Sequence, residues 1–364
     1  MKLKTIVTVA SSCVLGSTLV VGQAPSAGQT GPSLQAPQDP RAPAVLAQCK
    51  NPPPDQGRGR AGAGRGRGAG RGAQAQGPRE YVVTAIAGVI AAGQQWTFLW
   101  EEMGNNGDGI VGTDDGGLLI AQNDNSRVVK LDAQGRPSVV YSDTNTGGSL
   151  SMSSTGALFI ASRGLNPTIT QLAPERRVLA SRYQDDPLDC LGVVLNDLTA
   201  DSKGGVYFTM GGVYYASPAG VVTNYGEDIR PNGIVLSADE KTLYVTNGPT
   251  LAAFDVQPDG SLTNQREFAS LEGGGGGDGS TVDAAGRVYV ATNPGVQVVS
   301  AEGEYLGIIP TPRGVISVAF GGADKQTLFV LARGARDAGG TEVANAAQVY
   351  AIPTIAQGYQ GRAK

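Results

Sequence analysis

The feature that most constrains the fold of this chain is a unit that recurs six times after residue 108. In each unit a turn precedes a short strand of aliphatic, β-branched or aromatic residues, a composition typical of β-strands between tight turns. The six strands comprise residues 118–121, 157–160, 206–209, 242–245, 288–291 and 327–330. The turn residues ahead of them, which lie 37 to 48 positions apart, are Gly117, Gly156, Gly204, Lys241, Gly286 and Gln326.

A repeat of about 40–45 residues without sustained helical periodicity is typical of a propeller blade of four antiparallel strands. We therefore predict an all-β fold, a six-bladed β-propeller, over residues 80–364, a length that single all-β domains reach. A β-sandwich does not require six units of one length, and the rungs of a β-helix are shorter. Residues 96–100 precede the first unit and are expected to complete the last blade, which would close the ring without a free edge.

The first 79 residues differ in composition from the rest of the chain. Residues 1–24 follow the pattern of a secretory signal peptide: lysines, an apolar run over residues 5–21, then small residues. That run is short and rich in Ser and Thr for a membrane span, so we expect a secreted or periplasmic protein without stable membrane insertion. Residues 25–79 contain mainly Pro, Gly, Ala, Gln and Arg, which predicts a disordered tether because little apolar surface can be buried.

Charge and cysteine content narrow the functional classes. Residues 80–364 carry 18 Lys and Arg against 30 Asp and Glu, an acidic balance that disfavours nucleic acid as a partner and suits a cation site.

Once Cys13 is removed with the signal peptide, Cys49 and Cys190 remain. In an oxidising compartment they would either form a disulfide or stay as two free thiols, and their spacing does not decide between these states.

Polar residues with oxygen donors recur at a similar distance ahead of the six turns. In a propeller these positions open the innermost strand of each blade, so we expect them to converge at one end of the central channel. They are Asp108, Ser149, Asn196, Asn232, Asp278 and Ser317. Carboxylate and amide oxygens are ligands for Ca²⁺ or Mg²⁺. The alternative is that these residues cap turns through their own backbone.

The chain contains no histidine. The absence of this residue argues against the usual zinc sites and excludes catalysis by a Ser-His-Asp or Cys-His group. A divalent ion bound by oxygen atoms is therefore the predicted centre of the site, with Asp108, Asn196, Asn232 and Asp278 as its ligands and Ser149 and Ser317 as further residues that line the channel.

Several of these positions lie in recognisable local sequences. These are Gly107-Asp108-Gly109, Leu195-Asn196-Asp197, Pro231-Asn232-Gly233 and Gly277-Asp278-Gly279. Together they resemble the gluconolactonase/regucalcin (senescence marker protein) family over about residues 96–362. The resemblance implies a six-bladed propeller that binds Ca²⁺, or else Mg²⁺, Mn²⁺ or Zn²⁺, at the channel mouth and hydrolyses sugar lactones or related esters. It implies that Asp108, Asn232 and Asp278 hold the ion and that Asn196 reaches the ion or the substrate.

The chain departs from the family pattern at three places. Asp108 stands where the family usually has Glu, Val194 stands where some members have an Arg that contacts substrate, and the run from Gly273 to Gly277 replaces a Pro before the Asp-Gly pair. These departures leave the scaffold prediction unchanged and weaken the prediction of lactonase activity.

Two functions therefore follow from the sequence as alternatives. In the first, a metal-dependent hydrolase opens a lactone, with Asp278 as general base toward water and Asn196 orienting the substrate. In the second, a secreted propeller without catalytic activity binds a ligand or protein and uses the metal only for structure. A strictosidine-synthase-like enzyme lacks support in the residues present.

We expect a monomer whose partner is a small lactone or ester. Residues 163–192 and 333–347 are expected to be surface insertions or rims over the channel mouth.

Overall fold

The computed structural model describes residues 39–53 and 77–362, and within these ranges the chain forms six four-stranded antiparallel sheets. The all-β, six-bladed propeller predicted from the repeat is confirmed. Blades 1 to 3 comprise β2 (Gly107–Gly112), β3 (Leu118–Gln122), β4 (Arg127–Leu131) and β5 (Pro137–Tyr141); β6 (Gly147–Met152), β7 (Leu158–Ser162), β8 (Thr168–Ala173) and β9 (Arg177–Ala180); β12 (Leu198–Ala200), β13 (Val206–Thr209), β14 (Val213–Ala216) and β15 (Val222–Tyr225).

The other three blades repeat this order from the channel outward. They comprise β16 (Pro231–Leu236), β17 (Thr242–Asn247), β18 (Thr250–Val256) and β19 (Leu262–Ser270); β20 (Ser280–Val282), β21 (Val288–Ala291), β22 (Gly295–Val299) and β23 (Tyr305–Pro310); β24 (Val315–Gly321), β25 (Thr327–Arg336), β26 (Glu342–Pro353) and β1 (Thr97–Met103). The short elements outside the blades are β10 (Arg182–Tyr183), β11 (Asp186–Pro187), the helix α1 (Ala42–Leu46) and two 3-10 turns, Leu188–Leu191 and Glu272–Gly274.

The ring closes as the sequence predicted. Strand β1, which precedes the first unit in the chain, pairs antiparallel with β26 as the outermost strand of blade 6. The last blade is therefore built from both ends of the propeller sequence, and opening the ring would require the hydrogen bonds of this pair to break.

Burial follows the distance from the channel. The inner and second strands are buried along nearly their whole length, whereas outermost strands such as β5 and β15 face solvent. Between neighbouring blades the apolar side chains form continuous clusters, for example Phe159, Leu198 and Phe208 between blades 2 and 3. Stability thus comes mainly from apolar surface buried between blades.

The turns between inner and second strands contain many of the Asp and Gly residues of the repeat. They lie at the end of the channel opposite the six polar residues that are predicted to converge, which we call the ring residues: Asp108, Ser149, Asn196, Asn232, Asp278 and Ser317. Asp201 accepts hydrogen bonds from the backbone of Lys203 and Gly205 and from Tyr215 Oη at 2.8 Å. Asp283 likewise accepts from Tyr289 Oη at 2.8 Å. Aspartates of the repeat at this end therefore have structural roles in turns.

The segment 39–53 is attached to the propeller, contrary to its prediction as part of a disordered tether. Cys49 and Cys190 form a disulfide with a Cα–Cα distance of 5.6 Å, and the Lys50 backbone N–H donates to Asp186 Oδ1 at 2.9 Å. The body also begins before residue 80, because the Arg79 backbone N–H donates to the Pro312 carbonyl at 2.8 Å. Composition alone missed these contacts. The predicted signal peptide and the rest of the predicted tether lie outside the described residues.

The residues after β26 run along the far ends of the inner strands. The backbone N–H of Gly358 donates to the Lys325 carbonyl of blade 6 at 2.8 Å, and Arg362 Nη2 donates to the Leu236 carbonyl of blade 4 at 2.5 Å. The C-terminal segment therefore ties blades 6, 5 and 4 together at the end of the channel opposite the predicted site. Within residues 39–53 and 77–362, no helix has the length and apolar character needed to cross a membrane.

Candidate functional site at the channel mouth

Four of the predicted ring residues occupy equivalent positions in their blades. The pairing of inner and second strands shows this, because Ile110 pairs with Ile120, Leu198 with Phe208, Ile234 with Val245 and Ser280 with Val290. Each ring residue lies two positions before the first member of its pair, where the inner strand begins. The residues at this register are Asp108, Asn196, Asn232 and Asp278.

The two serines lie one residue out of this register, so the prediction of six equivalent oxygen donors is wrong in blades 2 and 6. There the ladders pair Leu150 with Ile160 and Val318 with Val330, which places Gly148 and Ile316 at the ring position. The turns between inner and second strands differ in length, so counting back from a turn does not give a constant register. Ser149 and Ser317 occupy the next position along the channel.

Asp197 lies in this next layer, and it does not turn away from the channel as strand alternation would suggest. Its Oδ1 accepts a hydrogen bond from Ser149 Oγ, and its Oδ2 accepts one from the Ile234 backbone N–H at 2.9 Å. The residue precedes β12, so the alternation of side chains within a strand does not apply to it. Asp197 therefore links the inner strands of blades 2, 3 and 4 below the ring.

The amides of the ring are held by one another and by the backbone. Asn196 Nδ2 donates to Asn232 Oδ1, and Asn232 Nδ2 donates to the Gly277 carbonyl at 3.2 Å. The second bond orients the Asn232 amide so that its oxygen faces Asn196. A side chain at position 233 would collide with the Asp278 carbonyl, so Gly233 permits the close approach of blades 4 and 5 beside the ring.

Asp278 is the most perturbed carboxyl group at the mouth. Burial raises its pKa to about 7, and the negative charge of Asp108 contributes to the same shift. Arg333 and Arg163 act in the opposite direction without cancelling it. The structure therefore brings Asp108 and Asp278, from blades 1 and 5, close enough for their charges to interact.

Arg163 is a residue of the site that the sequence analysis did not identify. It follows the second strand of blade 2, its side chain is buried, and its Nη1 donates to Asp108 Oδ2. Its Nη2 donates to the Asn196 carbonyl and lies 3.3 Å from Asn196 Oδ1. The repeat pattern does not distinguish Arg163 from other residues that follow second strands. The only sequence feature that could have indicated it is Gly148, because a glycine at the ring position of blade 2 leaves space for a side chain from elsewhere.

The donor set at the mouth suits a hard divalent cation. Two carboxylates and two amide oxygens converge there, and the Asp278 carboxylate accepts no hydrogen bond from the described residues while lying near a second negative charge. A cation would relieve this repulsion. Across the described ranges no group of three or more His, Cys, Asp or Glu side chains is placed to hold a metal, so binding would depend on the two amides.

The two segments expected to be insertions or rims differ in nature. Residues 168–180 form the outer strands β8 and β9 of blade 2 and the turn between them, whereas residues 181–192 are a connection beside the mouth. Residues 333–347 belong to the extended hairpin of β25 and β26. Asp189, in the connection after β9, accepts a hydrogen bond at 3.3 Å from the Asn166 backbone, so it contacts the loop that carries Arg163.

Comparison of the sequence with those of known proteins shows which family the chain is similar to. A model of the SMP-30/gluconolactonase/LRE-like region matches residues 138–333. The chain is 26% identical over 210 residues to a gluconolactonase of Zymomonas mobilis, covering 49% of this chain and 58% of that protein. It is 34% identical over 155 residues to a pentonolactonase of Haloferax volcanii, covering 38% of this chain and 53% of that protein. The chain thus spans about half the length of these curated relatives.

Solved structures with low sequence identity share the fold. A gluconolactonase from Xanthomonas campestris has a TM-score of 0.61 at 23% identity, covering 77% of this chain and 96% of its own. A regucalcin from Agrobacterium tumefaciens, described as a calcium-binding protein, has a TM-score of 0.58 at 20% identity, covering 73% and 95%. These similarities extend over the propeller and support the same blade architecture.

Proposed function

This chain belongs to the SMP-30/gluconolactonase/LRE-like family, and from that premise we propose that it hydrolyses sugar lactones or related esters at its channel mouth. The observation that carries the proposal is the convergence of Asp108, Asn196, Asn232 and Asp278 from four blades onto one end of the channel. The lactonases among its relatives support the class of substrate.

We further propose that Asp108, Asn232 and Asp278 hold a divalent ion, with Asn196 beside them, and that the ion is Ca²⁺ in preference to Mg²⁺, Mn²⁺ or Zn²⁺. The support is the oxygen-only donor set and the charge repulsion between Asp108 and Asp278. When bound, such an ion supplies Lewis-acid polarisation of the lactone carbonyl.

The side chains of the chain have distinct roles in this proposal. Asp278 would accept the proton of the attacking water, because a bound ion would keep its carboxylate ionised and close to the carbonyl carbon. The water oxygen bonds to the carbonyl carbon, the ring C–O bond breaks, and the proton passes to the leaving alkoxide. Asn196, fixed between Arg163 and Asn232, orients the substrate through its amide.

We also propose that the protein acts outside the cytoplasm as a monomer on a small molecule, without nucleic acid and without stable membrane insertion. The Cys49–Cys190 disulfide supports an oxidising compartment, since such bonds rarely persist in reducing ones. The acidic propeller supports a partner other than nucleic acid.

The test is a panel of sugar and aliphatic lactones assayed with and without Ca²⁺, Mg²⁺, Mn²⁺ and Zn²⁺. Asp278→Asn should abolish ion binding and turnover, whereas Asn196→Ala should retain most ion binding and lose turnover. Asp255→Asn, on an outer region of blade 4, is the matched control and should bind the ion and hydrolyse lactones as the wild type does. If no lactone is hydrolysed with any ion while a chelator still lowers the melting temperature, the protein is a binding propeller with a structural metal.

A further inference from the structure

Arg163 occupies the place in the ring that blade 2 leaves empty. Five blades present a side chain at the ring position, and blade 2 presents Gly148. A Cβ atom at Gly148 would overlap the Arg163 guanidinium, so the absence of a side chain there is what admits this group. The Arg163 residue is 5% exposed, which shows that the guanidinium is enclosed within the mouth.

The contacts of this guanidinium tie it to the residues proposed to bind the ion. It donates to Asp108 Oδ2 through Nη1 and to the Asn196 carbonyl through Nη2, thereby bridging blades 1 and 3. Its charge also lowers the pKa of Asp278 against the larger opposing effects. In the protein without an ion, Arg163 therefore neutralises part of the negative charge of the ring.

We propose that Arg163 is a built-in counter-cation that competes with the divalent ion for Asp108. The proposal rests on the proposed function, because it presupposes an ion at this ring. A carboxylate oxygen that accepts a hydrogen bond from a guanidinium is less available to a metal, and the two positive charges repel each other strongly in a site shielded from solvent. Ion binding therefore requires the guanidinium to move away from Asp108.

Two consequences follow for this protein. Its ring binds the ion less tightly than the same oxygen donors would without Arg163. Its fold also depends less on the ion, because Asp108 keeps a charged partner when the ion is absent. Asp108 thus exchanges one cation for another as the site fills.

Two variants remove the competitor by independent routes. Arg163→Gln removes the positive charge and keeps a polar side chain. Gly148→Ala keeps the charge and displaces the guanidinium, since the new Cβ would meet the flexible end of the Arg163 side chain and the Gly148 backbone has no positive φ. Arg287→Gln is the matched control, because it removes an arginine from a partly buried ion pair with Asp283 at the opposite end of the channel.

The measurement is calorimetric titration of each full-length protein with CaCl₂, together with melting temperatures in chelator and in Ca²⁺. We expect Arg163→Gln and Gly148→Ala to bind Ca²⁺ about tenfold more tightly than the wild type, or more, and Arg287→Gln to remain within about twofold. We also expect Ca²⁺ to raise the melting temperature of Arg163→Gln more than that of the wild type, because Asp108 has lost its other charged partner.

The possible failures are distinguishable. If the wild type binds Ca²⁺ and both ring variants bind it equally or more weakly, Arg163 supports the site instead of competing for it, and the inference is wrong while the proposed function stands. If neither the wild type nor the variants bind any of the four ions, the proposed metal site fails and this inference fails with it. Should Arg163→Gln not fold in chelator, Gly148→Ala decides the question by itself.

Discussion

The raised pKa of Asp278 makes an unusual prediction for Asp278→Asn in the absence of any divalent ion: the variant should be more stable than the wild type at pH 8. The carboxyl has a pKa of about 7 in the folded protein against an ordinary value of 3.8. The folded state therefore holds the proton more tightly than the unfolded state, and wild-type stability falls as the pH rises from about 4 to about 7. An Asn side chain stays neutral and avoids this loss.

The magnitude follows from the same shift. About three pKa units correspond to at most ~4 kcal/mol at about 1.36 kcal/mol per unit. Asp278 is only partly buried at the mouth, so solvent screens this effect and we expect about 1–3 kcal/mol, or a rise in melting temperature of about 2–6 °C at pH 8 for a protein of this size. Below pH 4 the two proteins should have nearly equal stability, because Asp278 is then neutral.

The assay is thermal and urea unfolding in chelator at pH 4 and pH 8, then in Ca²⁺ at pH 8. In Ca²⁺ the order should reverse, because only the wild type gains free energy from the ion. Asp255→Asn is the control of opposite sign: hydrogen bonds from Asn264 and Arg266 lower the pKa of Asp255, so its loss should reduce stability at pH 8. If Asp278→Asn is less stable than the wild type at pH 8 in chelator, the ionised Asp278 carboxylate does not destabilise the folded protein in the absence of the ion.

Two further predictions concern the framework around the site. Cys49→Ser opens the bond to Cys190 and should lower the free energy of unfolding by about 2–4 kcal/mol, seen as a lower melting temperature that reducing agent does not change further; an unchanged melting temperature would contradict it. Gly233→Ala places a Cβ against the Asp278 carbonyl and should cost about 3 kcal/mol in urea unfolding. Gly275→Ala, which meets no atom within 4 Å, should cost less than 1 kcal/mol, and equal losses in the two variants would argue against a steric cause.

Much of the fold could be predicted from local sequence because each blade has the same pattern of short apolar runs separated by turns. Apolar and β-branched runs between turns specify the strands, and the recurrence of these runs specifies six sheets. The closure by β1 also followed, since a strand without a blade of its own precedes the first unit. The disorder that composition predicted for the tether does not extend to residues 39–53, because a disulfide and contacts with Asp186 hold these residues on the propeller.

The candidate site could be predicted where the ring residue and the strand register coincide. Asp108, Asn196, Asn232 and Asp278 lie just ahead of strands, next to small or polar neighbours, and the ladders place them at equivalent positions. The two serines were misplaced by one residue because register depends on hydrogen bonds between strands, and turns of different length shift it.

The sequence by itself therefore determined the blades, their number and four of the ring residues, because these depend on patterns that are local and repeated. Only the tertiary structure decided that Asp197 faces the channel and that Arg163 enters the ring over Gly148. Arg163 lies after the second strand of blade 2, whereas its partners belong to the first strand of blade 1 and the approach to the first strand of blade 3. The distance that its side chain bridges exists only once the blades have packed around the channel.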